Sequence, residues 1–222
     1  GKWGVSEQGL KIPFVVRWPG VVKPGTTSQT MLSLVDVLPT FLDIAGSEID
    51  TTIDGKSFYK TLQGDESNVN DYIFSLATKQ NIQACKVFPT RAVRGKRYKF
   101  IRNYNALEVH ESNFGENSVI NSFIKIGAES FPMVPYEELY DLENDPYQKI
   151  NLIKNSKFDA VKSQLSEVLY TWMVSQDDFL ISNHMPLIKP TLHPLDRNSK
   201  WNKVSEENLK GLKSNDYMKS HY

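Results

Sequence analysis

The sequence has a single cysteine, Cys85, so no disulfide can close within the chain. That count does not fix a compartment, because secreted enzymes without disulfides are common. Histidine is also scarce: His110, His184, His193 and His221 are scattered, and no Cys or His pair stands at zinc-ligand spacing. There is no phosphate-cradling glycine loop and no nucleophile elbow. No apolar run reaches the roughly 18 residues that a membrane-spanning helix needs. Net charge is zero, from 26 basic and 26 acidic side chains. Nothing global therefore draws the chain toward nucleic acid or an acidic membrane. Repeats and low-complexity blocks are missing too. The chain opens Gly1-Lys2-Trp3-Gly4, with neither an initiator methionine nor a signal peptide. A polar, glycine-rich opening before an apolar run reads as the interior of a longer sequence, so missing sequence upstream is expected.

The chain is 222 residues long and 40% hydrophobic, enough for one large domain or one domain plus a fragment. Pro13–Trp18 is a short apolar run bounded by prolines and reads as a strand covered on both faces. Pro19-Gly20 and Pro24-Gly25 mark turns. Asp36 is placed to cap a helix carrying Leu38, Phe41, Leu42 and Ala45 on one side, with Gly46 as its stop. Pro39 is tolerated in the first turn. Strands are expected at Asp71–Thr78, Thr90–Val93, Tyr98–Arg102 and Glu138–Leu142, with a hairpin turn at Gly95-Lys96 and a closing turn at Asn144-Asp145-Pro146. Ser156 then caps the strongest helix, whose stripe of Phe158, Val161, Leu165, Leu169 and Trp172 suits packing on that sheet. Past Asn183 three prolines break any regular helix, and a short polar helix is expected at Ser205–Lys213. Composition and spacing alone end at a soluble α/β fragment.

Ordered motifs say more. Gly1-Lys2-Trp3-Gly4-Val5-Ser6-Glu7-Gln8-Gly9-Leu10-Lys11-Ile12-Pro13 resembles the second sulfatase signature, and the apolar run and Pro19-Gly20 follow it in place. Ser33-Leu34-Val35-Asp36-Val37-Leu38-Pro39-Thr40 is similar to the family's S-x-x-D-x-x-P-T segment. Asp54-Gly55-Lys56-Ser57-Phe58 is similar to its D-G-x-S-L element. Thr90–Arg94 with Tyr98-Lys99, and Glu138–Leu142 with Asp145-Pro146 and Asn151-Leu152, resemble its C-terminal subdomain. The match spans about residues 1 to 175 in order. Phe88–Val93, Ile101–Asn105 and the long insert to Tyr136 most resemble the heparan N-sulfatase (N-sulfoglucosamine sulfohydrolase) group. Arginine stands there in that group where this chain has Lys2.

The resemblance implies the C-terminal portion of an alkaline-phosphatase-like α/β fold. Residues 1–65 would complete the edge of the large catalytic sheet. Residues 66–182 would form a small four-stranded antiparallel sheet packed on a C-terminal helix, and 183–222 a surface-wrapping tail. It implies hydrolysis of a sulfate ester or sulfamate on a glycosaminoglycan-like carbohydrate by the intact enzyme. The formylglycine nucleophile and the calcium ligands would lie upstream, leaving no metal ligand in this chain and the isolated chain inactive. Cys85, in Gln-Ala-Cys-Lys-Val, is not a formylglycine site. Lys2 would contact the sulfate or the leaving atom; without the resemblance it reads as an exposed terminal lysine. Gln80, Asn81 and Gln83, expected in a loop between two strands, would read the sugar, because amides both donate and accept hydrogen bonds. Glu7 and Lys11 are expected to be structural, as an ion pair with each other. The implied partners are the sulfated carbohydrate and the missing N-terminal part, with a homodimer possible and with neither nucleic acid nor membrane. The implied location is periplasmic or secreted, or lysosomal in a eukaryote. A phosphonate or phosphodiester hydrolase of the same superfamily and a non-catalytic fragment are the alternatives.

Overall fold

The computed structural model describes residues 4–81, 86–104, 125–127 and 135–182, with the backbone alone for 78–81, 86–88 and 182. The four histidines, Cys85 and the expected tail at 183–222, with its Ser205–Lys213 helix, lie outside the described residues.

The centre is an antiparallel meander of β1 (Ile73–Asn81), β2 (Lys86–Arg94), β3 (Tyr98–Asn103) and β4 (Glu137–Asp141), each strand beside its sequence neighbour. All four expected strands form. The first hairpin is longer than its sequence suggested, because β2 runs through Pro89, which pairs with Thr78. Proline is tolerated there for a geometric reason. A residue's N–H and C=O point to the same flank of a strand, and the Pro89 carbonyl accepts from Tyr104 N–H at 3.0 Å. The missing N–H therefore falls on the β3 side, beyond the last β3 pair, Thr90 with Asn103. The expected turn at Gly95 closes the second hairpin, with Gly95 N–H donating to Tyr98 O at 2.9 Å.

Alternation along the strands splits the sheet into two faces. Val93, Phe100 and Leu139 pack against Leu165, Leu169 and Met173 of the long helix (Asp159–Ser175), as its apolar stripe required. Each such side chain contributes about 1.5–3 kcal/mol on full burial. Phe74 and Trp172 stack at 4.7 Å, only 4° from parallel. The helix begins differently from expectation. Ser156–Phe158 form a 3-10 turn, and the side chain of Asn155, not Ser156, accepts from the Lys157 N–H. On the helix face, Arg91 Nε and Nη2 grip both Asp178 oxygens at 2.5 and 3.1 Å in a buried fork.

Residues 4–72 contain only short helices: α1 (Glu7–Leu10), α2 (Val37–Ile44) and α3 (Tyr59–Leu62), so the long helix is α4. The strand expected over Pro13–Trp18 does not form. A strand needs a neighbour for its backbone hydrogen bonds, and among the described residues none lies alongside. Phe14 and Val15 stay open to solvent, Val15 being 90% exposed, while Trp18 is half-buried against Tyr59. Asp36 also departs from expectation. It heads α2, but its carboxylate is a hub, accepting from Ser33 N at 2.7 Å, Lys56 N at 2.9 Å and Asn70 Nδ2 at 2.8 Å. Thr40 Oγ1 continues the knot, donating to Asp36 O and accepting from Phe58 N. Gly55 approaches so closely that a Cβ there would lie 2.0 Å from Val35 O. Two of the family-like motifs thus serve as mutual scaffolding. Gly46 ends α2 as expected, with φ +68° and Ser47 N–H reaching back to Leu42 O at 2.9 Å.

Candidate functional site

The sheet face away from α4 is polar at one end, and the N-terminal segment lies across it. Val5 packs on Ala92, Ile101 and Tyr140. Two residues on, Glu7 is clamped between strands. Its Oε1 accepts from Lys99 Nζ at 2.7 Å, and its Oε2 from Arg94 Nε at 3.3 Å. The expected pairing with Lys11 is replaced by this one, because the α1 turn points Glu7 at the sheet and leaves Lys11 exposed. Lys99 is 1% exposed, so this carboxylate is what balances its charge. Burial pushes the Glu7 carboxyl upward, but Lys99 and Arg94 outweigh it and hold it below the usual range. Burial also pulls the Lys99 ammonium down, and Glu7 recovers only part of that. The Glu7 N–H donates to Gln148 Oε1 at 2.6 Å. Gln148 adopts a left-handed backbone, φ +53°, at a typical strain of about 1–3 kcal/mol.

Beside this clamp lies a cleft of about 340 Å³, bordered by Gly4, Val5, Ser6 and Gln8 on one side and by Tyr147 and Gln148 on another. Its floor is Ala77 and Ile101, and its polar wall is Thr90, Asn103, Glu138 and Tyr140. These four lie on adjacent strands and form one hydrogen-bonded ladder. Thr90 Oγ1 donates to Asn103 Oδ1 at 3.2 Å, and Asn103 Nδ2 donates to Glu138 Oε1 at 2.5 Å and to Pro135 O at 3.1 Å. The Tyr140 hydroxyl donates to Glu138 Oε2. Burial, and then this bond, push the Tyr140 phenol well above its ordinary value, so it remains a donor.

Lys2 and Gln83 lie outside the described residues. Gln80 and Asn81 belong to β1, paired with Val87 and Lys86, and not to a loop. The ladder continues past Thr78 because this stretch of both strands has no glycine and its one proline, Pro89, turns its missing N–H toward β3 and away from β1. Gln80 is three residues along β1 from Ala77, which floors the cleft, and Lys2 is two residues before Gly4, which borders it. The sequence reading overlooked Thr90, Asn103 and Glu138. Each is ordinary alone, and only the strand register brings them together. Among the described residues no three His, Cys, Asp or Glu side chains gather to hold a metal ion. These residues therefore do not fit a calcium site, and no chemistry is derived through one.

Known proteins agree with this architecture. Residues 2–114 match the family model for the N-sulphoglucosamine sulphohydrolase C-terminal region. An ulvan-active sulfatase of Formosa agariphila is 42% identical over 98% of this chain and 45% of its own length. An N-acetylgalactosamine-6-O-sulfatase of Bacteroides thetaiotaomicron is 28% identical over 76% of this chain and 28% of its own. A protein solved in complex with its substrate, D-glucosamine-2-N,6-O-disulfate, shares the fold with a TM-score of 0.54 at 21% identity, over 73% of this chain and 28% of that one. The chain spans less than half the length of these relatives. With its meander backed by α4 and its signature segment laid across the open face, the chain belongs to the sulfatase family, as the C-terminal portion described by the N-sulphoglucosamine sulphohydrolase model.

Proposed function

We propose that this chain is the C-terminal part of a hydrolase that removes sulfate from a carbohydrate. The observation that carries the reading is the N-terminal segment, clamped by Glu7 and seated by Val5 so that it borders a cleft walled by hydroxyl, amide and carboxylate groups. Such walls suit a polyhydroxylated ligand. Lys2, at the head of that segment, supplies a cation to the sulfate or to the leaving atom as negative charge develops there. Gln80 and Asn81, at the end of β1, and Gln83, two residues further in sequence, contact the sugar. Residues 1–65 border the larger catalytic domain, a reading supported by the exposed Ile12, Phe14 and Val15. The nucleophile (a formylglycine) and a calcium ion belong to that other part, and this chain alone is inactive. Relatives named for ulvan and for a 6-O-sulfated sugar favour a sulfate ester over the sulfamate of the heparan N-sulfatase group. The enzyme works in the periplasm or outside the cell.

A chimera tests this. The region of the Formosa agariphila sulfatase that this chain matches is replaced by this chain, and sulfate release is measured on ulvan oligosaccharides and on N-sulfoglucosamine. Release from the sulfate ester is expected from the chimera and none from the isolated 222 residues. A folded chimera without release from either substrate refutes the proposal, and preference for N-sulfoglucosamine reverses the choice of ester.

A further inference from the structure

We infer that Glu138 makes the cleft a recognition site for an uncharged, hydroxyl-bearing sugar unit and turns a sulfated unit away. The inference rests on the carbohydrate reading above and adds which unit of the carbohydrate this cleft takes.

The hydrogen-bond inventory of the ladder decides the ligand. The Thr90 hydroxyl proton goes to Asn103, both Asn103 amide protons go to Glu138 and Pro135, and the Tyr140 proton goes to Glu138. Every polar side-chain hydrogen of the ladder is used inside it. What remains for a ligand is lone pairs, on both Glu138 oxygens, on Thr90 Oγ1 and on the Tyr140 oxygen. Against the ladder a ligand must bring donors; on the other side of the cleft the buried Gln148 Nε2 is a donor not yet used. Sugar hydroxyls do; a sulfate group has only acceptors and finds no partner on this wall.

Charge acts in the same direction. Among the described residues Glu138 forms no ion pair, unlike Glu137 beside it in sequence, which points to the other face and holds Arg102 at 2.9 Å and Lys162 at 3.1 Å. An anion beside Glu138 would meet a carboxylate that no described cation pairs with; Lys149 Nζ stands at the Tyr147 border, 5.8 Å from that ring's centre. The two donors that fix Glu138 also keep it from swinging away. The floor of Ala77 and Ile101 and the exposed ring of Tyr147 offer apolar surface to the C–H face of a sugar ring. The volume of about 340 Å³ is at the small end for ligand clefts and limits the occupant to about one sugar unit.

The test titrates the 222-residue chain with N-acetylglucosamine and with D-glucosamine-2-N,6-O-disulfate, following the ring resonances of Tyr140 and Tyr147 by NMR. The neutral sugar is expected to bind with a dissociation constant on the order of millimolar, and the disulfate at least about tenfold more weakly. Glu138→Gln, which removes the charge and adds a donor, should bring the two within about threefold, whereas Glu138→Asp should keep them apart. Equal affinity for both sugars, no binding of the neutral sugar, or a gap unchanged in Glu138→Gln overturns the inference. Should Glu138→Gln not fold, the wild-type chain decides: the gap must narrow between about 0.05 and 0.5 M salt, and a salt-independent gap overturns it. Sulfate release by the chimera with no sugar bound here sinks this inference and leaves the carbohydrate reading intact; binding here with an inactive chimera does the reverse.

Discussion

Glu7 and Lys99 stand 92 positions apart in sequence, and the Lys99 ammonium donates to the Glu7 carboxylate at 2.7 Å beneath the N-terminal segment. The pair fastens that segment to β3. Glu7→Ala leaves a buried ammonium without its counter-charge and is expected to cost about 3 kcal/mol. Replacing both partners, as Glu7→Leu with Lys99→Met, should recover most of that loss. Urea unfolding of the two variants checks this; a double variant as unstable as Glu7→Ala would mean the pair is not the fastening.

Acid should loosen the same chain. Arg97 holds the Asp141 carboxyl at about 2, against an ordinary 3.8, and Glu7 is also held low. A carboxylate whose value is lowered by folding stabilises the fold fully above its unfolded value, near 4. That stabilisation is lost as pH falls through the folded value. The urea midpoint is expected to drop between about pH 5 and pH 2, and Asp141→Asn should lower it at pH 7 and flatten the acid limb. A midpoint that stays level down to about pH 3 contradicts this assignment.

The knot around Asp36 gives a third expectation. Asp36→Ala strands three donors and should cost about 3 kcal/mol. Gly55→Ala forces a methyl into Val35 O and should cost at least about 2 kcal/mol. Gly64→Ala has open space for its Cβ but carries φ +102°, so it isolates backbone strain from collision. Thermal unfolding ranks the three, and a Gly55→Ala chain of wild-type stability would show that the two loops part easily.

Lys2→Ala, placed in the active chimera, should lower kcat by roughly 10²–10³-fold while leaving the melting temperature in place. Lys2→Arg should retain a substantial part of the activity, because the position needs a cation. Undiminished kcat in Lys2→Ala would remove the lysine from the proposed chemistry.

Periodicity and turn residues made the meander and α4 legible in the sequence. Leu165, Leu169 and their partners repeat at helical spacing, and Gly95 marks a hairpin that no other reading of that stretch explains. The Pro13–Trp18 run was misread because an apolar stretch specifies burial but not the neighbour that would accept its hydrogen bonds. Asp36 looked like a cap because two of its three donors arrive from residues 20 and 34 positions away. The cleft was invisible for a related reason. Thr90, Asn103 and Glu138 become neighbours only once the register of three strands is known, and Gln80 and Asn81 looked like loop residues because Pro89 hid the length of the hairpin.

Because each strand of the meander pairs with the one just before it, the sheet can be laid down in the order of synthesis, with short loops closing β1 on β2 and β2 on β3 and a long one bringing in β4. Residues 4–10 are the exception. They are synthesised before the meander, yet their anchor is not made until β3 exists. A chain halted before Lys99 would hold a nearly finished hairpin and an unanchored Glu7. The signature segment is thus made before the sheet that holds it and settles only after most of that sheet is in place.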